Sequence, residues 1–254
     1  MAINLTKGQT IDLRKNNLGE NVYDLSQVTI GLGWDVREEK KGLFGKLFGG
    51  SNDVDFDLDA IAFLLDKDGF VANLGRELHL TNGQKIGLHG GDAIFFNSMT
   101  FPSGTGTSQM IYPSGTPKST MVNKVKNLLE SGELIVHTGD NLTGEGDGDD
   151  EQIIVKLNSL PQRIDKILFL VCIYNGQKLN QHFGQVENAF IRACDANGKE
   201  IARYSLSNTS ELNGMRSLLF GEMYRHQENW KFRAIGNPES TDNFINILKR
   251  YIKQ

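Results

Sequence analysis

The run "DLDAIAFLL" (residues 57–65) indicates the fold class of this 254-residue chain. It has the length of a strand and ends at the turn sequence "DKDG". Runs of the same kind, rich in β-branched and aromatic residues, recur between turn signals. They are "QVTIGLGW", "DAIFFNSM", "ELIVH", "EQIIVKL", "KILFLVCIY", "NAFIRAC", "EIARYSL", "SLLFGEMYR" and "WKFRAIG". This pattern predicts an all-β-dominated fold, most simply an antiparallel β-sandwich of two packed sheets.

Two segments with helical periodicity predict peripheral helices. The first is "STMVNKVKNLLESG" (119–132), which places Val122, Val125, Leu128 and Leu129 on one stripe. The second is the C-terminal "STDNFINILKRYIK" (240–253), with apolar residues at Phe244, Ile247, Leu248, Tyr251 and Ile252 behind a Ser-Thr-Asp start. Spacings of three and four residues put each set on one face of a helix. We expect both helices to cover the sheets.

No clear domain boundary interrupts the chain, so residues 1–254 are interpreted as a single domain. Two stretches have the composition of insertions. Residues 40–53 repeat Leu-Phe among glycines and lysines, and residues 101–132 combine a loop carrying Pro-Ser-Gly-Thr twice with the first predicted helix. Glycine, at 28 of 254 residues, exceeds the usual share and predicts many turns.

Composition excludes several function classes. The net charge of −4 argues against nucleic acid as a partner, because phosphate binding requires a basic face. The N-terminal sequence lacks the apolar core of a signal peptide, and no apolar run is long enough to span a membrane. Cys172 and Cys194 lie in apolar runs and are predicted to be buried free thiols. We therefore expect a cytoplasmic protein.

An acidic segment, "GDNLTGEGDGDDE" (139–151), follows one predicted strand and leads directly into another. It holds six acidic residues and four glycines, with no lysine or arginine. A solvated loop is the simplest interpretation of an acidic run. Here, however, strands flank it on both sides, and the glycines would let carbonyls and carboxylates turn toward a common centre.

A second acidic pair, Asp57 and Asp59, lies on the run at 57–65. Residues two apart on a strand point to the same face, and their Cα atoms are about 6.6 Å apart. Two carboxylates about 5 Å apart repel by roughly 3 kcal/mol at an effective dielectric near 20. A hard divalent cation would neutralise this repulsion.

The candidate ligands are oxygen donors, which favour calcium over magnesium because calcium accepts six to eight oxygens in flexible geometry. Neither cysteine is near, which disfavours zinc. His137 is interpreted as a hydrogen-bonding residue rather than a ligand. Asp140 and Glu151 have the spacing of the first and last ligands of an EF-hand, but Glu145 occupies the required glycine position and the flanks are strands, so an EF-hand is excluded.

Six further blocks of the chain form a recognisable set. They are "INLTKGQTIDL", "GLGWDV", "DFDLDA", "HTGDNLTGEGDGDDE", "FGQVENAFIR" and "YRHQENWKFRAIG". Together they resemble the TerD family of bacterial tellurium-resistance and stress-response proteins. The resemblance implies a calcium-binding β-sandwich, with two ions expected between the Asp-Leu-Asp strand and the acidic segment. The residues that match the motifs are Asp57, Asp59, Asp140, Asn141, Asp147, Asp149, Asp150 and Glu151. The two insertions depart from the family pattern, which leaves the identity of protein partners open.

The leading functional interpretation is a non-enzymatic calcium-binding protein of a stress or tellurite-resistance system that contacts other stress-response proteins. The alternatives are a metal-dependent hydrolase or phosphotransferase that uses the same carboxylates, and a protein that binds nucleotides without turnover. No phosphate-binding loop or nucleophile elbow supports catalysis. The Leu-Phe pairs and lysines of residues 40–50 also suggest peripheral contact with an anionic membrane or a partner. A mobile insertion without a role is the favoured interpretation, because glycine opposes a stable amphipathic helix.

Overall fold

The computed structural model describes residues 3–4, 7–12, 23–36, 56–79, 85–104, 118–139, 149–205, 210–227 and 229–253. The insertion expected at 40–53 and the candidate ligands Asp140, Asn141 and Asp147 lie outside these residues. Within the described chain, strands dominate and form two large sheets. The prediction of an all-β-dominated sandwich is confirmed.

The first sheet has seven strands among the described residues. In spatial order they are β1 (Ile3–Asn4), β13 (Glu200–Ser205), β12 (Val186–Cys194), β3 (Val28–Val36), β10 (Glu151–Val155), β9 (Ile135–His137) and β8 (Thr100–Phe101). All neighbours pair antiparallel except β1 and β13, which are parallel. The turn sequence "DANGK" joins β12 to β13, as expected of a hairpin.

The second sheet has six strands among the described residues, all antiparallel. In order they are β2 (Thr10–Asp12), β15 (Asn229–Glu239), β14 (Ser217–His226), β11 (Lys166–Ile173), β4 (Leu58–Leu65) and β7 (Ala93–Ile94). A separate hairpin consists of β5 (Arg76–His79) and β6 (Lys85–His89).

The core lies between the two sheets. Alternate residues of β3, such as Ile30 and Leu32, belong to the same buried cluster as Phe169 of β11 and Phe220 of β14. Leu58, Ala60 and Ala62 of β4 also face this cluster. Burial of aromatic and branched side chains between the sheets is the main source of stability in such a sandwich.

Two helices cover the outer faces of the sheets. Helix α1 (Lys118–Glu130) packs Val125 and Leu129 against Val136 and Ile154 of the first sheet. Val122 was expected on this stripe, but that prediction was wrong. Its side chain is 64% exposed, because the buried stripe begins at Val125.

The C-terminal helix is shorter than its sequence pattern suggests. Helix α2 (Phe244–Leu248) starts at Asn243, whose Oδ1 accepts a hydrogen bond from the Ile245 backbone, and a 3₁₀ turn (Lys249–Tyr251) follows. Ile247 and Leu248 pack on the outer face of the second sheet. Neither helix of the described chain is long and apolar enough to cross a lipid bilayer.

The run "DAIFFNSM" forms less strand than expected. Only Ala93–Ile94 pairs with β4, because Phe95 and Ser98 bond each other across a tight turn. Both cysteines are buried free thiols, as predicted. Among the described residues, the early end of β7 leaves part of the β4 edge without a strand neighbour, and the candidate site is built there.

Candidate metal centre

The aspartate pair lies where β4 begins, at one end of the second sheet. Asp59 is opposite Cys172 in the β4–β11 register, and the carbonyl of Asp57 accepts a hydrogen bond from the Tyr174 backbone at 2.8 Å. Asp59 is buried and Asp57 half-buried. Asp59 shares the outer face of the sheet with Ile61 and Phe63, as the two-residue period requires.

The negative charge of Asp59 affects the pKa of Cys172, the residue opposite it on β11. Burial raises the pKa of the Cys172 thiol, and the negative charges of Asp59 and Asp242 raise it further. A concentration of carboxylate charge at this end of the sheet therefore follows from the geometry as well as from the sequence.

The edge of β4 is completed by two side chains from the opposite sheet. Ala62 and Phe63 pair with β7, but Ala60 lies beyond the end of that strand. The Ala60 amide donates to Glu151 Oε2 at 2.7 Å, and the Ala60 carbonyl accepts from His137 Nε2 at 3.0 Å. Both side chains are fully buried. They replace the backbone partner that a longer β7 would have supplied.

His137 is neutral in this arrangement. Its Nδ1 accepts a hydrogen bond from the Gly139 amide at 3.1 Å, so the proton is on Nε2, which donates to Ala60. Burial lowers the pKa of His137 to about 4, and the bond to Ala60 offsets only part of that effect. The interpretation of His137 as a hydrogen-bonding residue agrees with this geometry.

The three consecutive acids at the start of β10 contact three different elements. Glu151 reaches Ala60 of β4 between the sheets. Asp150 accepts from the Trp34 amide of β3 at 3.0 Å, and the Trp34 indole donates to the Phe56 carbonyl at 3.0 Å. Through Trp34, the end of the acidic segment is connected to the residue that precedes Asp57.

Asp149 lies on the outer face of the first sheet. Its Oδ1 accepts from Arg192 Nε at 2.7 Å and its Oδ2 from Gln152 Nε2 at 3.0 Å. The carboxylate rests against Gly31 of β3, where an added Cβ would be 2.2 Å from Asp149 Cγ. A residue with a side chain at position 31 would therefore displace Asp149.

The structure brings the backbones of the two acidic stretches together, but not all of their carboxylates. The Ala60 amide links Glu151 to the residue after Asp59, and Trp34 links Asp150 to the residue before Asp57. The Asp59 side chain, however, is on the outer face of the second sheet, and that of Asp149 is on the outer face of the first. Among the described residues, no group of three or more His, Cys, Asp or Glu side chains has the arrangement of a metal site. A complete site would require donors from residues 140–148.

Sequence reasoning missed three residues that organise this region. Ala60, Trp34 and Arg192 all lie within blocks that carry the family resemblance, but no role was assigned to them. An apolar residue that offers its backbone to a buried carboxylate has no signal of its own in the sequence. The acidic segment does connect strands β9 and β10, which agrees with the exclusion of an EF-hand.

Comparison with known proteins identifies the family. The TerD domain model matches residues 1–76 and 125–251. The chain belongs to the TerD domain family. The residues between the two matched ranges contain part of the expected insertion at 101–132, and the single-domain interpretation stays a prediction.

Three curated relatives of this TerD-family chain align over more than nine-tenths of its length. Tellurium resistance protein TerX of Serratia marcescens is 46% identical over 252 residues, covering 99% of this chain and 100% of the relative. Tellurium resistance protein TerD of the same organism is 36% identical, covering 93% and 90%. Stress response protein SCP2 of Bacillus subtilis is 34% identical, covering 99% and 100%.

A solved structure shares the fold. The crystal structure of a homologue of the telluride resistance protein TerD from Streptomyces coelicolor superposes with a TM-score of 0.50 at 16% identity, covering 87% of this chain and 95% of that one. At this identity the likeness establishes the fold and nothing further. The strand-dominated architecture is thus shared with that protein.

Proposed function

We propose that this TerD-family protein binds calcium between the start of β4 and the acidic segment 139–151. It would act in a stress or tellurite-resistance system by binding calcium and other proteins rather than by catalysis. One observation carries the proposal, the 2.7 Å bond from the Ala60 amide to Glu151. It connects the residue after Asp59 to the last residue of the acidic segment. Two acidic stretches that are remote in sequence therefore adjoin in the fold.

The donor chemistry fits a hard divalent cation. The described candidates Asp57, Asp59, Asp149, Asp150 and Glu151 are all carboxylates, and Asp140, Asn141 and Asp147 would add oxygens from within the segment. Calcium prefers carboxylate, amide and carbonyl oxygens in large, flexible coordination shells. Two ions would supply positive charge where the chain has concentrated negative charge, and would hold the segment against β4.

Binding rather than catalysis is the activity we propose. His137 is the histidine nearest to the acidic segment in sequence, and hydrogen bonds to Ala60 and Gly139 engage both of its ring nitrogens. A histidine held in this way is poorly suited to accept a proton from a substrate. The stress or resistance role follows from the names of the relatives, and the ion-dependent partners would be other stress-response proteins.

Isothermal titration calorimetry of the chelator-treated protein tests the proposal. We expect calcium to bind with a stoichiometry of two ions per chain. Magnesium should bind much more weakly, because the proposed oxygen donors are numerous and do not impose the octahedral geometry that magnesium requires. Absence of calcium binding in the wild type would overturn it. Incubation of the calcium-loaded protein with nucleotides and simple esters tests the rival, since turnover that Asp59→Asn abolishes would favour a metal-dependent hydrolase.

A further inference from the structure

The loop at 174–180, which follows β11, displays two large apolar side chains to solvent. Tyr174 is 48% exposed and Leu179 is 54% exposed. Among the large apolar side chains of the described residues, only Leu74 and Val122 are exposed to a comparable degree. Single exposed apolar residues are ordinary on a protein surface, whereas their concentration in one short loop indicates a contact site.

Hydrogen bonds to two other parts of the second sheet hold this loop in place. The Tyr174 amide donates to the Asp57 carbonyl at 2.8 Å, just before β4 begins. The Gln177 amide donates to Asp242 Oδ2 at 2.8 Å, just before α2 begins. The exposed side chains therefore leave from a backbone of defined position, which lowers the entropic cost of binding a partner.

The Tyr174 ring rests on a row of aromatic side chains. It meets the half-buried Phe96 edge to face, with ring centroids 6.2 Å apart and planes at 82°. Phe96 in turn meets the buried Phe95 at 5.6 Å, and Phe95 contacts Phe244 of α2 at 5.1 Å. Tyr174 and Phe96 thus present two perpendicular rings at the surface, and the rings beneath them support this arrangement.

Elsewhere in the chain, aromatic rings are covered by the protein's own cations. Examples are Arg203 over Phe190 at 4.1 Å, Arg225 over Trp230 at 4.5 Å and Lys199 over Tyr23 at 4.9 Å. No arginine or lysine of the described residues covers Tyr174 or Phe96 in this way. An exposed ring of this kind can accept a cation from another molecule.

The charge around the loop also favours a cationic partner. The Asp57 backbone and the Asp242 carboxylate accept amides of the loop, and Asp59 lies opposite Cys172 in the β4–β11 register. Lys178 is the one basic residue of the loop itself. Three carboxylates against one ammonium group give this surface a negative potential, which attracts and orients a positively charged group.

We propose that Tyr174 and Phe96 form a docking site for an arginine or lysine side chain of a partner protein. The cation would lie against the exposed Tyr174 ring, with Asp242 supplying the opposite charge, and Leu179 would contact an apolar residue beside it. A basic residue flanked by apolar residues is therefore the partner chemistry that this surface fits. The inference does not require calcium, because Asp242 is not one of the candidate calcium ligands.

Nuclear magnetic resonance titration of the isotope-labelled protein tests the site, in excess chelator so that calcium plays no part. The probe is the acetylated and amidated tripeptide Leu-Arg-Leu, and its control carries citrulline, which has the shape of arginine without the charge. We expect saturable shifts of the Tyr174 and Gln177 amides, with the citrulline peptide bound about two- to fivefold more weakly. Added salt should weaken binding of the arginine peptide, because it screens exposed charges.

Three variants separate the aromatic and ionic contributions. Tyr174→Ala should weaken binding of the arginine peptide about two- to fivefold, whereas Tyr174→Phe keeps the ring and should bind within about twofold of wild type. Asp242→Asn can still accept the hydrogen bond from the Gln177 amide but lacks the charge, so it should weaken binding about two- to threefold at low salt. Val122→Ala removes an exposed apolar side chain on α1 and should leave binding unchanged.

The outcome does not depend on whether Tyr174→Ala is tolerated, because Tyr174→Phe and Asp242→Asn preserve the packing and the hydrogen bond. Absence of saturable shifts in the loop with the arginine peptide would overturn the inference. Equal binding of the arginine and citrulline peptides would overturn it as well, since the surface would then bind apolar groups without regard to charge. Wild-type affinity in both Tyr174→Ala and Asp242→Asn would have the same meaning. A protein that binds no calcium would contradict the proposed function and leave this test intact.

Discussion

Glu151 and Ala60 are 91 residues apart in sequence and belong to opposite sheets, yet the Ala60 amide donates a 2.7 Å hydrogen bond to the Glu151 carboxylate. His137 accompanies it by donating to the Ala60 carbonyl. The two side chains complete an edge that β7 leaves open, in the interior where water cannot satisfy the backbone. The junction between the sheets at the candidate site is therefore polar and specific, in contrast to the apolar core beside it.

Replacing Glu151 by alanine should destabilise the fold even without calcium. The Ala60 amide would lose its charged acceptor in a buried position, which costs about 2–3 kcal/mol. For a chain of this size we expect the melting temperature to fall by about 5–10 °C. Thermal unfolding followed by circular dichroism in excess chelator is the measurement.

Glu130→Ala is the control for that experiment. Glu130 lies on α1 in an exposed pair with Lys126, where both side chains are more than half exposed. Its removal should change the melting temperature very little. Equal melting temperatures for Glu151→Ala and Glu130→Ala would contradict the structural role of Glu151.

Acid should destabilise the protein through His137. The pKa of this residue is about 4 in the folded state and near 6.5 in the unfolded chain, because burial disfavours its charged form. Stability that is fully present above pH 6.5 is therefore lost as the pH falls toward 4, since only the unfolded chain binds the proton in that window. The loss amounts to about 3 kcal/mol from this group.

Urea unfolding at a series of pH values, in excess chelator, measures this effect. His137→Gln can still donate to the Ala60 carbonyl but does not titrate, so its stability should change less between pH 6.5 and 4. His226→Gln is the matched control, because His226 is exposed and its replacement should leave the wild-type profile. Parallel pH profiles for wild type and His137→Gln would argue against a buried neutral histidine.

Calcium should raise the melting temperature by coupling ion binding to folding. An ion at 100 times its dissociation constant stabilises the native state by about 2.7 kcal/mol per site, which corresponds to a shift of several degrees. Asp59→Asn should remove most of the shift, because it removes a charge from the proposed site. Differential scanning calorimetry with calcium, magnesium and chelator provides the comparison.

Asp68→Asn serves as the control for calcium stabilisation. Asp68 lies in the turn after β4, at the opposite end of that strand from Asp59, and is largely exposed. It should retain the full calcium shift. A chelator that leaves the wild-type melting temperature unchanged would count against an ion that joins β4 to the acidic segment.

A buried ion pair away from the candidate site should also contribute to stability. The Asp92 carboxylate is fully buried and accepts two hydrogen bonds from Arg163, both at 2.9 Å, and a third from the Asn73 amide. Removing Arg163 would leave this charge poorly compensated. Because Arg163 is 44% exposed and water can partly replace it, we expect a cost of about 2 kcal/mol for Arg163→Ala.

Arg250→Ala is a suitable comparison, since Arg250 forms a similar two-bond pair with Glu239 at the exposed surface. Its loss should cost less than about 1 kcal/mol. Urea unfolding at pH 7 measures both variants. If they are destabilised to the same extent, burial of Asp92 does not govern the strength of its pair.

Much of the fold could be predicted from local patterns. In β15, Trp230, Phe232 and Ala234 are buried while Lys231 and Arg233 are more exposed, and this two-residue period is visible in "WKFRAIG". The two acidic stretches were also recognisable in the sequence, because carboxylates are rarely concentrated in this way on or between predicted strands. The extent of individual elements was less predictable, as β7 and α2 show, because tight turns and end geometry decide it.

By itself, the sequence determined which residues alternate into a core, where the chain turns and where carboxylates accumulate, since these depend on neighbours a few positions away. Only the tertiary structure decided what each carboxylate does. Asp149, Asp150 and Glu151 are adjacent in the chain, yet they bond Arg192, Trp34 and Ala60, which are 43, 116 and 91 residues distant. Those contacts exist because strand order and register place β10 beside β3 and opposite β4, and such pairings leave no trace in the local spacing of residues.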